Sequence, residues 1–512
     1  MGTNQVIKVI SAIGIGIGIL IFKPIPGLAT SDWNSNSNHA GSTFDRLKSG
    51  SDKQIAQAPP SSDRQNSPPK QLDPSPPPLS LPNRPEAVEL GEKIAISLKE
   101  AVRLSLENNQ DVVEARQELK RAEAALRQER AALYPSLDLT SDLIYGDALF
   151  LDSISTQTRE MGAPAGMSAG SAESFDFSGD LALSYTIFDS GLRSASIRIA
   201  EKQLRSSQLD LEAILEDVRL ETASDYYDLQ NRTAEVEIEQ STVQDATKTL
   251  EDARLRQSAR VGTKFDVLRA EVELAQAKQG LITAQANRDI ARRQLAETLS
   301  LDHQSDLTAA DEIAESGVWE LSLPETIVKA FENREELEQF LLQREIAQSQ
   351  RQVAIAAVRP TISASSSYGV SDDFEDNFDI TDSYSVGLSL EWRLFDGGAA
   401  SAAAEQSEQD EAIAETQFAE RRNEIRFAVE QAFYQLRSNQ SNIDTATQEV
   451  TLADESLRIA RLRFQSGVGT QTDVIDAQAQ LATARGNLLG SIIDYNQSYI
   501  DLQRQVSQVA EP

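Results

Sequence analysis

Cysteine is absent from the 512 residues, which excludes a disulfide framework and a thiolate metal site and leaves no thiol here to carry a lipid. Histidine is nearly absent: His39 and His303 are far apart, and no HExxH pattern accompanies them, so neither a His-rich metal centre nor a triad base is available. No catalytic residue, cofactor or metal is therefore expected, and the chain does not read as an enzyme. Basic residues are in deficit, 48 Lys and Arg against 80 Asp and Glu, and the net charge of −32 makes nucleic acid a poor partner. Aromatics make up only 6%, while Ala, Gln, Glu, Leu and Arg crowd long stretches, as in extended coiled helices rather than a compact globule. Long apolar runs are missing save one. Val9 to Phe22, after Lys8 and before Gly27-Leu28-Ala29, reads as a signal peptide over 1–29 and is short for a membrane-spanning helix. A membrane protein with no other apolar run has to be a β-barrel.

What the chain does contain, it contains twice. The segment SLKEAVRLSLENN, ending in AALYPSL at Pro135, returns as SLPETIVKAFENR, ending in AAVRPTI at Pro360. Leu183-Ser-Tyr-Thr-Ile-Phe-Asp-Ser-Gly191 returns, two residues longer, at Leu388 to Gly398, and Arg254 to Ala270 returns as Arg461 to Ala477; the Phe-Asp turns and the latter segment run at an offset of 207. Such a duplication decides the architecture before any single residue does. Ahead of it, residues 30–93 are rich in Ser, Asn, Gln and Pro, with Pro76-Pro77-Pro78, and read as a disordered tether. The repeats are then 94–321 and 322–507.

Within each repeat the period switches. Ser97 with Glu100 reads as a capping box opening one helix that runs to Leu133. After Pro135 the period is two: Leu137, Leu139, Leu143 and Tyr145 alternate with Asp and Thr, and Phe175 to Ile187 return. The second repeat alternates likewise from Ile362 to Val370 and from Tyr384 to Trp392. These strand pairs, about 136–188 and 361–395, are longer than ordinary strands and carry Asp, Ser and Thr on the polar face, as a water-filled lumen requires. Asp147 to Ala172 fits an exposed loop, and Trp392, Tyr384 and Tyr185 fit an aromatic girdle.

Each Phe-Asp turn leads into a very long helix, Leu192 to about Ser258 and Ala399 to about Gln465. Leu436, Ile443, Val450, Leu457 and Phe464 fall seven apart with Ala446, Ala453 and Ala460 between them; Leu229, Val236, Val243 and Leu250 repeat the register with Ala246 and Ala253. That is a coiled-coil seam with a small second position. Turns at Val261-Gly262-Thr263 and Gly467-Val468-Gly469-Thr470 send the chain back as helices about 264–300 and 471–503. Tyr226-Tyr227 and their equivalents Phe433-Tyr434 sit mid-helix and read as packing residues. Four strands cannot close a barrel, so the β-part needs an oligomer, most simply a trimer.

At these residues the layout resembles the TolC-type outer-membrane efflux proteins, over nearly all of 94–506. The signatures are Phe188-Asp189-Ser190-Gly191 and Phe395-Asp396-Gly397-Gly398, with a tip pattern met in full by Phe464, Gly467, Thr470, Asp473, Val474, Ile475 and Ala477. The first repeat departs from it at Gln257 and Arg260 but keeps Thr263, Asp266, Val267, Leu268 and Ala270. The resemblance implies a mainly α fold with a transmembrane β-barrel part. A homotrimer would close a 12-stranded barrel in outer-membrane lipid, continuous with an α-helical barrel through the periplasm. It implies a passive export duct meeting a periplasmic adaptor protein and an inner-membrane ABC or RND pump. It places a pore constriction at Asp473 and Asp476, one helix face just past the tip, although in so acidic a chain such a pair is ordinarily solvated surface. Family members also tie the constriction shut with a basic residue where Gly469 stands, so Asp266, Arg260, Lys264 and Arg269 become the lock candidates. The tips, Val261, Gly262, Thr263 and Gly467 to Thr470, would contact the adaptor. Otherwise they are tight turns that need glycine. A secreted coiled-coil structural protein or adhesin is the alternative, and it leaves the two amphipathic hairpins unexplained.

Overall fold

A computed structural model describes residues 93–147, 173–302, 304–372 and 380–507, with scattered positions between 81 and 91. The expected signal segment, the tether up to residue 80, the loop after residue 147 and both histidines lie outside the described residues.

The two long hairpins repeat each other residue for residue. Helix α3 (Leu192–Ser258) turns into α4 (Lys264–Thr298), and α7 (Ala399–Gln465) turns into α8 (Gln471–Gln505), every boundary displaced by 207. A helix of 67 residues is roughly 100 Å long at 1.5 Å per residue. The seven-residue seam is where they pack: Leu229, Val236, Leu250, Leu436, Ile443 and Leu457 are buried together with Ala246, Ala253, Ala446 and Ala460. Near the tips these residues form two small clusters, Leu250, Ala253, Val267 and Ala270 in one hairpin and Leu457, Ala460, Val474, Ala477 and Leu481 in the other. Neighbouring helices run in the order α4, α3, α8, α7.

Shorter helices thicken the far end of this wall. The stretch expected as one helix is two, α1 (Leu98–Asn108) and α2 (Gln110–Ala131), broken at Asn109, whose backbone is extended. The Asn109 side chain accepts from the N–H groups of Asp111 (2.8 Å) and Val112, and donates to the Thr298 carbonyl at 3.0 Å. It thus caps α2 and anchors the break to the end of α4. The expected capping box is half formed: Ser97 accepts from Glu100 N–H, but the Glu100 carboxylate is taken by Arg103. The second repeat breaks likewise at Arg334, between α5 (Leu323–Asn333) and α6 (Glu335–Ala356), and there Ser322 and Glu325 complete the box.

A parallel two-stranded sheet, β1 (Lys93–Ile96) with β4 (Asp306–Ala309), closes over this region; strands of four residues give no periodic signal in sequence. Tyr226 is fully buried beneath it, its hydroxyl bonded to the Ile96 carbonyl and the Asp311 carboxylate. Its repeat counterpart Phe433 is partly buried, whereas Tyr434, expected as a packing residue, is exposed. The end of α8 is fastened by charge: Arg504 meets Asp217 of α3 at 2.6 Å, and Glu336 of α6 meets Arg334 at 2.6 Å and Arg421 of α7 at 3.3 Å.

The membrane-type strands form one antiparallel sheet, β2 (Ser136–Asp147), β3 (Glu173–Phe188), β5 (Thr361–Asp372) and β6 (Thr381–Glu391), in that order. Register puts Leu137 opposite Leu183, Leu139 opposite Leu181, Leu181 opposite Tyr368, Ile362 opposite Leu390, Ala364 opposite Leu388, and Tyr368 opposite Tyr384. Apart from Ile144, which stands opposite Asp176, the large apolar residues in the regular register of the four strands share one face, and that face is largely exposed. The other face carries Asp138, Asp142, Asp176 and Asp180 and serine pairs such as Ser136 with Ser184 and Ser367 with Ser385. No helix among the described residues is long and apolar enough to cross a membrane.

Replacing Asn109 by Ala removes a cap and leaves the Thr298 carbonyl short of a donor; a loss of about 2 kcal/mol is expected, read as a lowered thermal unfolding midpoint with unchanged secondary structure.

Candidate functional site: the hairpin tips and the strand-to-helix turns

Both ends of each hairpin are built by local hydrogen bonding that the motifs encode. At the strand-to-helix turns the aspartate is the helix cap. Asp189 accepts from the N–H groups of Gly191 (3.1 Å) and Arg193 (3.0 Å), and Asp396 from those of Gly398 (2.9 Å) and Ala400 (2.7 Å). Gly191 and Gly398 stand at φ 93° and 91°, which a residue with a Cβ adopts only at a cost. The aspartate and glycine of the Phe-Asp-x-Gly signature thus turn the chain and cap the helix that follows.

At the tips the long helix ends with a residue in the left-handed region, Arg260 at φ 61° and Gly467 at φ 77°. The following N–H groups then fold back: Val261 and Gly262 donate to the Arg256 carbonyl, and Val468 and Gly469 to that of Arg463. A Cβ on Gly262 would sit 2.9 Å from the Arg256 Cβ, and one on Gly469 3.1 Å from the Arg463 Cβ. Tight turning therefore accounts for these glycines. The valines are another matter. Val261 and Val468 are 73% and 74% exposed, and no packing need within the chain explains an apolar side chain there.

Thr263 and Thr470 begin the returning helices, each in a complete capping box with Asp266 and Asp473. The Asp473 carboxylate is bonded to Thr470 N–H at 2.8 Å and that of Asp266 to Thr263 N–H at 2.9 Å. Asp266 has its carboxylate engaged in its own hairpin. Asp476, one turn on, is exposed on the same face as Asp473. Hydrogen bonds from the Thr470 N–H and then its side chain hold the Asp473 carboxyl below the usual carboxylate range, with a smaller pull from Arg463.

Of the basic lock candidates, Arg260 and Lys264 make no ion pair among the described residues, whereas Arg269 reaches the other hairpin and donates to the Thr472 hydroxyl. Sequence reasoning passed over a stronger tie. Arg256 donates to the Phe464 carbonyl at 2.7 Å and lies 4.1 Å above the Phe464 ring, joining the two tips as a cation over an aromatic face. Arg461 with Asp245 (2.9 Å) and Gln478 with Thr249 (3.2 Å) continue the seam between α3 and the second hairpin. The departure of Gln257 from the tip pattern was a usable signal, since it leaves Phe464 as the lone aromatic at either tip position.

Two clefts beside α2 and α3, of about 320 and 270 Å³, are lined by acids including Asp111, Glu118 and Glu221. Burial, then Asp225, Asp111 and Glu297, pushes the Glu221 carboxyl up. No group of three or more metal-ligating residues converges among the described residues.

The architecture coincides with that of bacterial membrane ducts. The family model described as outer membrane efflux protein matches residues 101–300 and 326–506. Protein CyaE of Bordetella pertussis is 24% identical over 419 residues, 80% of this chain and 83% of its own. The outer membrane efflux protein BepC of Brucella suis is 31% identical over 170 residues, 32% of this chain and 35% of its own. Among solved structures, CusC aligns with a TM-score of 0.68 at 16% identity, covering 88% of this chain and 99% of its own. The CmeC outer membrane channel of Campylobacter jejuni gives 0.68 at 16%, covering 85% and 94%. The chain belongs to the outer membrane efflux protein family. It is an outer-membrane export duct whose helical part extends into the periplasm, and its structural neighbours are channels.

Two outcomes are expected at the tips. Arg260→Gly relieves the left-handed strain and stabilises the end of α3 by about 1 kcal/mol, while Gly467→Ala costs a similar amount, both read by amide exchange of the preceding turn. The lowered Asp473 pKa means that its cap is fully present above the unfolded-state value and is lost only as pH falls through the lower folded value. In Thr470→Ala the carboxyl titrates nearer its ordinary range, so the loss moves to higher pH, visible in a carboxyl-carbon NMR titration.

Proposed function

We propose that three copies assemble around an axis to close a 12-stranded barrel above a 12-helix barrel. The resulting conduit is passive and receives its cargo from a pump in the inner membrane through a periplasmic adaptor protein. The open edges of the sheet carry this reading. β2 and β6 are the outer strands of the sheet, with no strand paired to their outer sides among the described residues, beside an exposed apolar face; a bilayer does not tolerate such edges and an adjoining copy would satisfy them. The alternation of directions across β2, β3, β5 and β6 leaves β6 antiparallel to β2 of a neighbour. At 11 to 16 residues the strands are long enough to span tilted. Two copies would make eight strands, whose interior side chains fill; three leave a lumen.

The helical wall supports the same closure. Its end helices carry exposed apolar stripes: Phe265, Leu268, Val272, Ile282 and Ile290 on α4, and Ile413, Phe427, Tyr434, Leu452 and Ile459 on α7. Both recur at helical spacing, and α4 of one copy would meet α7 of the next. The exposed valines of the tips are the adaptor contact. Asp476 is the principal constriction residue, tripled by the symmetry, with Asp473 beside it held ionised by its cap. Residues 1–29 direct export.

Purified trimers in planar bilayers are expected to open as cation-selective channels. Asp476→Asn should reduce that selectivity without loss of folding, whereas Asp473→Asn also disturbs the α8 cap. Channels indifferent to both changes would remove the acidic constriction and keep the duct. Folded oligomer with no conductance would restore the alternative, a coiled-coil structural protein.

A further inference from the structure

Far from the tips, where the short helices join the wall, the two repeats treat the same place in opposite ways. In the second repeat Glu336 is surrounded by Arg334 at 2.6 Å, Arg421 at 3.3 Å and Arg504 at 3.7 Å, and Arg504 crosses the internal seam to Asp217 of α3 at 2.6 Å. Positions in the hairpins correspond at an offset of 207, and those in the short helices at 225, as Pro360 follows Pro135. Glu336 then answers to Asp111, Arg334 to Asn109, Arg421 to Ile214 and Arg504 to Glu297. All three arginines are missing from the first repeat, and one has become an acid.

What stands there is the cleft of about 270 Å³ in which Asp111 of α2, Glu221 of α3 and Glu297 of α4 converge; Glu114, Glu118 and Asp217 line the cleft beside it. The surrounding bases are engaged elsewhere: Arg504 with Asp217 and Glu336, Arg219 with Glu216, Arg121 with Glu118, and Arg292 and Arg293 with Asp306. Burial, then Asp225, Asp111 and Glu297, raises the Glu221 carboxyl. Asp225, which accepts from the Thr298 hydroxyl, is raised as well, chiefly by burial.

In a closed ring, each contact between α3 and α8 across the internal seam has a counterpart between α7 and α4 across the seam between copies. The Arg504 bridge to Asp217 becomes Glu297 facing Glu424 of the adjoining copy. Glu424 brings Arg421 with it, at 2.9 Å, but that guanidinium is shared with Glu336. Closure therefore adds a carboxylate to a cluster that already resists ionisation, and like charges brought together favour the protonated form.

We propose that this level of the seam between copies is a proton-operated joint, the ring closing with uptake of a proton by the Asp111, Glu221 and Glu297 cluster, so that acid tightens the trimer and base loosens it. The proposal rests on the trimeric reading above. The proton belongs to the interacting group rather than to one carboxyl. Because the closed ring binds more protons than separate copies, association strengthens as pH falls into the cluster's range, which lies above that of ordinary carboxylates, and levels off below it. One proton per seam makes the trimerisation constant up to about a thousandfold larger for each pH unit within that range.

Dissociation of purified wild-type trimers in detergent at low ionic strength, followed by light scattering from about pH 8 to about pH 5, tests this. The dissociation temperature should rise as pH falls. Glu297→Gln should flatten that dependence. Glu297→Arg, which restores toward Glu424 the bridge that Arg504 makes with Asp217, should make the trimer as stable in base as the wild type is in acid. Glu424→Gln, an exposed change on α7 outside the cleft, should flatten the dependence from the other side of the seam, and it decides the matter if a Glu297 variant does not fold. Wild-type trimers indifferent to pH, a dependence unchanged in the glutamine variants, or trimers weakened by Glu297→Arg overturn the proposal and leave the trimer standing. Wild-type protein that forms no trimer at any pH would instead sink the trimeric reading, and the inference with it.

Discussion

A half-finished sheet is the constraint on which everything else depends. Four strands bury neither their apolar face nor their outer edges; lipid covers the first, and an adjoining copy, in the assembly proposed above, would pair the second. The helical wall inherits the same incompleteness. β3 runs directly into α3 and β6 into α7, so the order of strands and the order of helices keep step, and both walls leave matching ends open. One closure operation completes the two together. This is why exposed Leu388, Leu390 and Val386 in the sheet and exposed Phe265 and Ile282 in the wall, which would be liabilities in a soluble monomer, are coherent with one another.

Duplication supplies the wall economically, and the points where the two copies of the motif diverge are informative because the backbone does not. The tip capping boxes, the aspartate and glycine of the strand-to-helix turns, and the seam alanine pairs Ala246 with Ala453 and Ala253 with Ala460 recur in both halves, since both halves need the same turns. Gln257 against Phe464, Arg269 against Asp476 and Asp245 against Leu452 differ, and all three pairs lie at the membrane-distal end, where the hairpins meet different neighbours. Identical folding demands and unlike contacts separate structural residues from those that distinguish one seam from the other.

Most of the architecture was legible because long periodic elements announce themselves. The bounds of the four long helices, the alternation of the strands and the position of each tip follow from spacing alone. The break at Asn109 did not, because a single polar residue inside a helical pattern is compatible with an unbroken helix until its partner is known, and the partner is the Thr298 carbonyl 189 residues away. The β1 and β4 sheet escaped for lack of length. At the site, spacing put Asp473 and Asp476 on one face but could not separate a carboxylate engaged with Thr470 N–H from one that is free. Tertiary pairing hid Arg256 for the same reason: nothing local says that its guanidinium crosses to Phe464.

The chemistry of the two seams bears on how a duct can be both stable and mobile. A directional hydrogen bond or a cation over a ring loses its strength within a small displacement, so contacts of that kind suit surfaces that remain together. Apolar surfaces in sliding contact lose little as long as water stays out. A wall held everywhere by polar ties would resist opening at every seam, and one greased everywhere would not stay shut or keep its register. In this chain the polar ties lie between its two hairpins, and the apolar stripes lie on its outer helices.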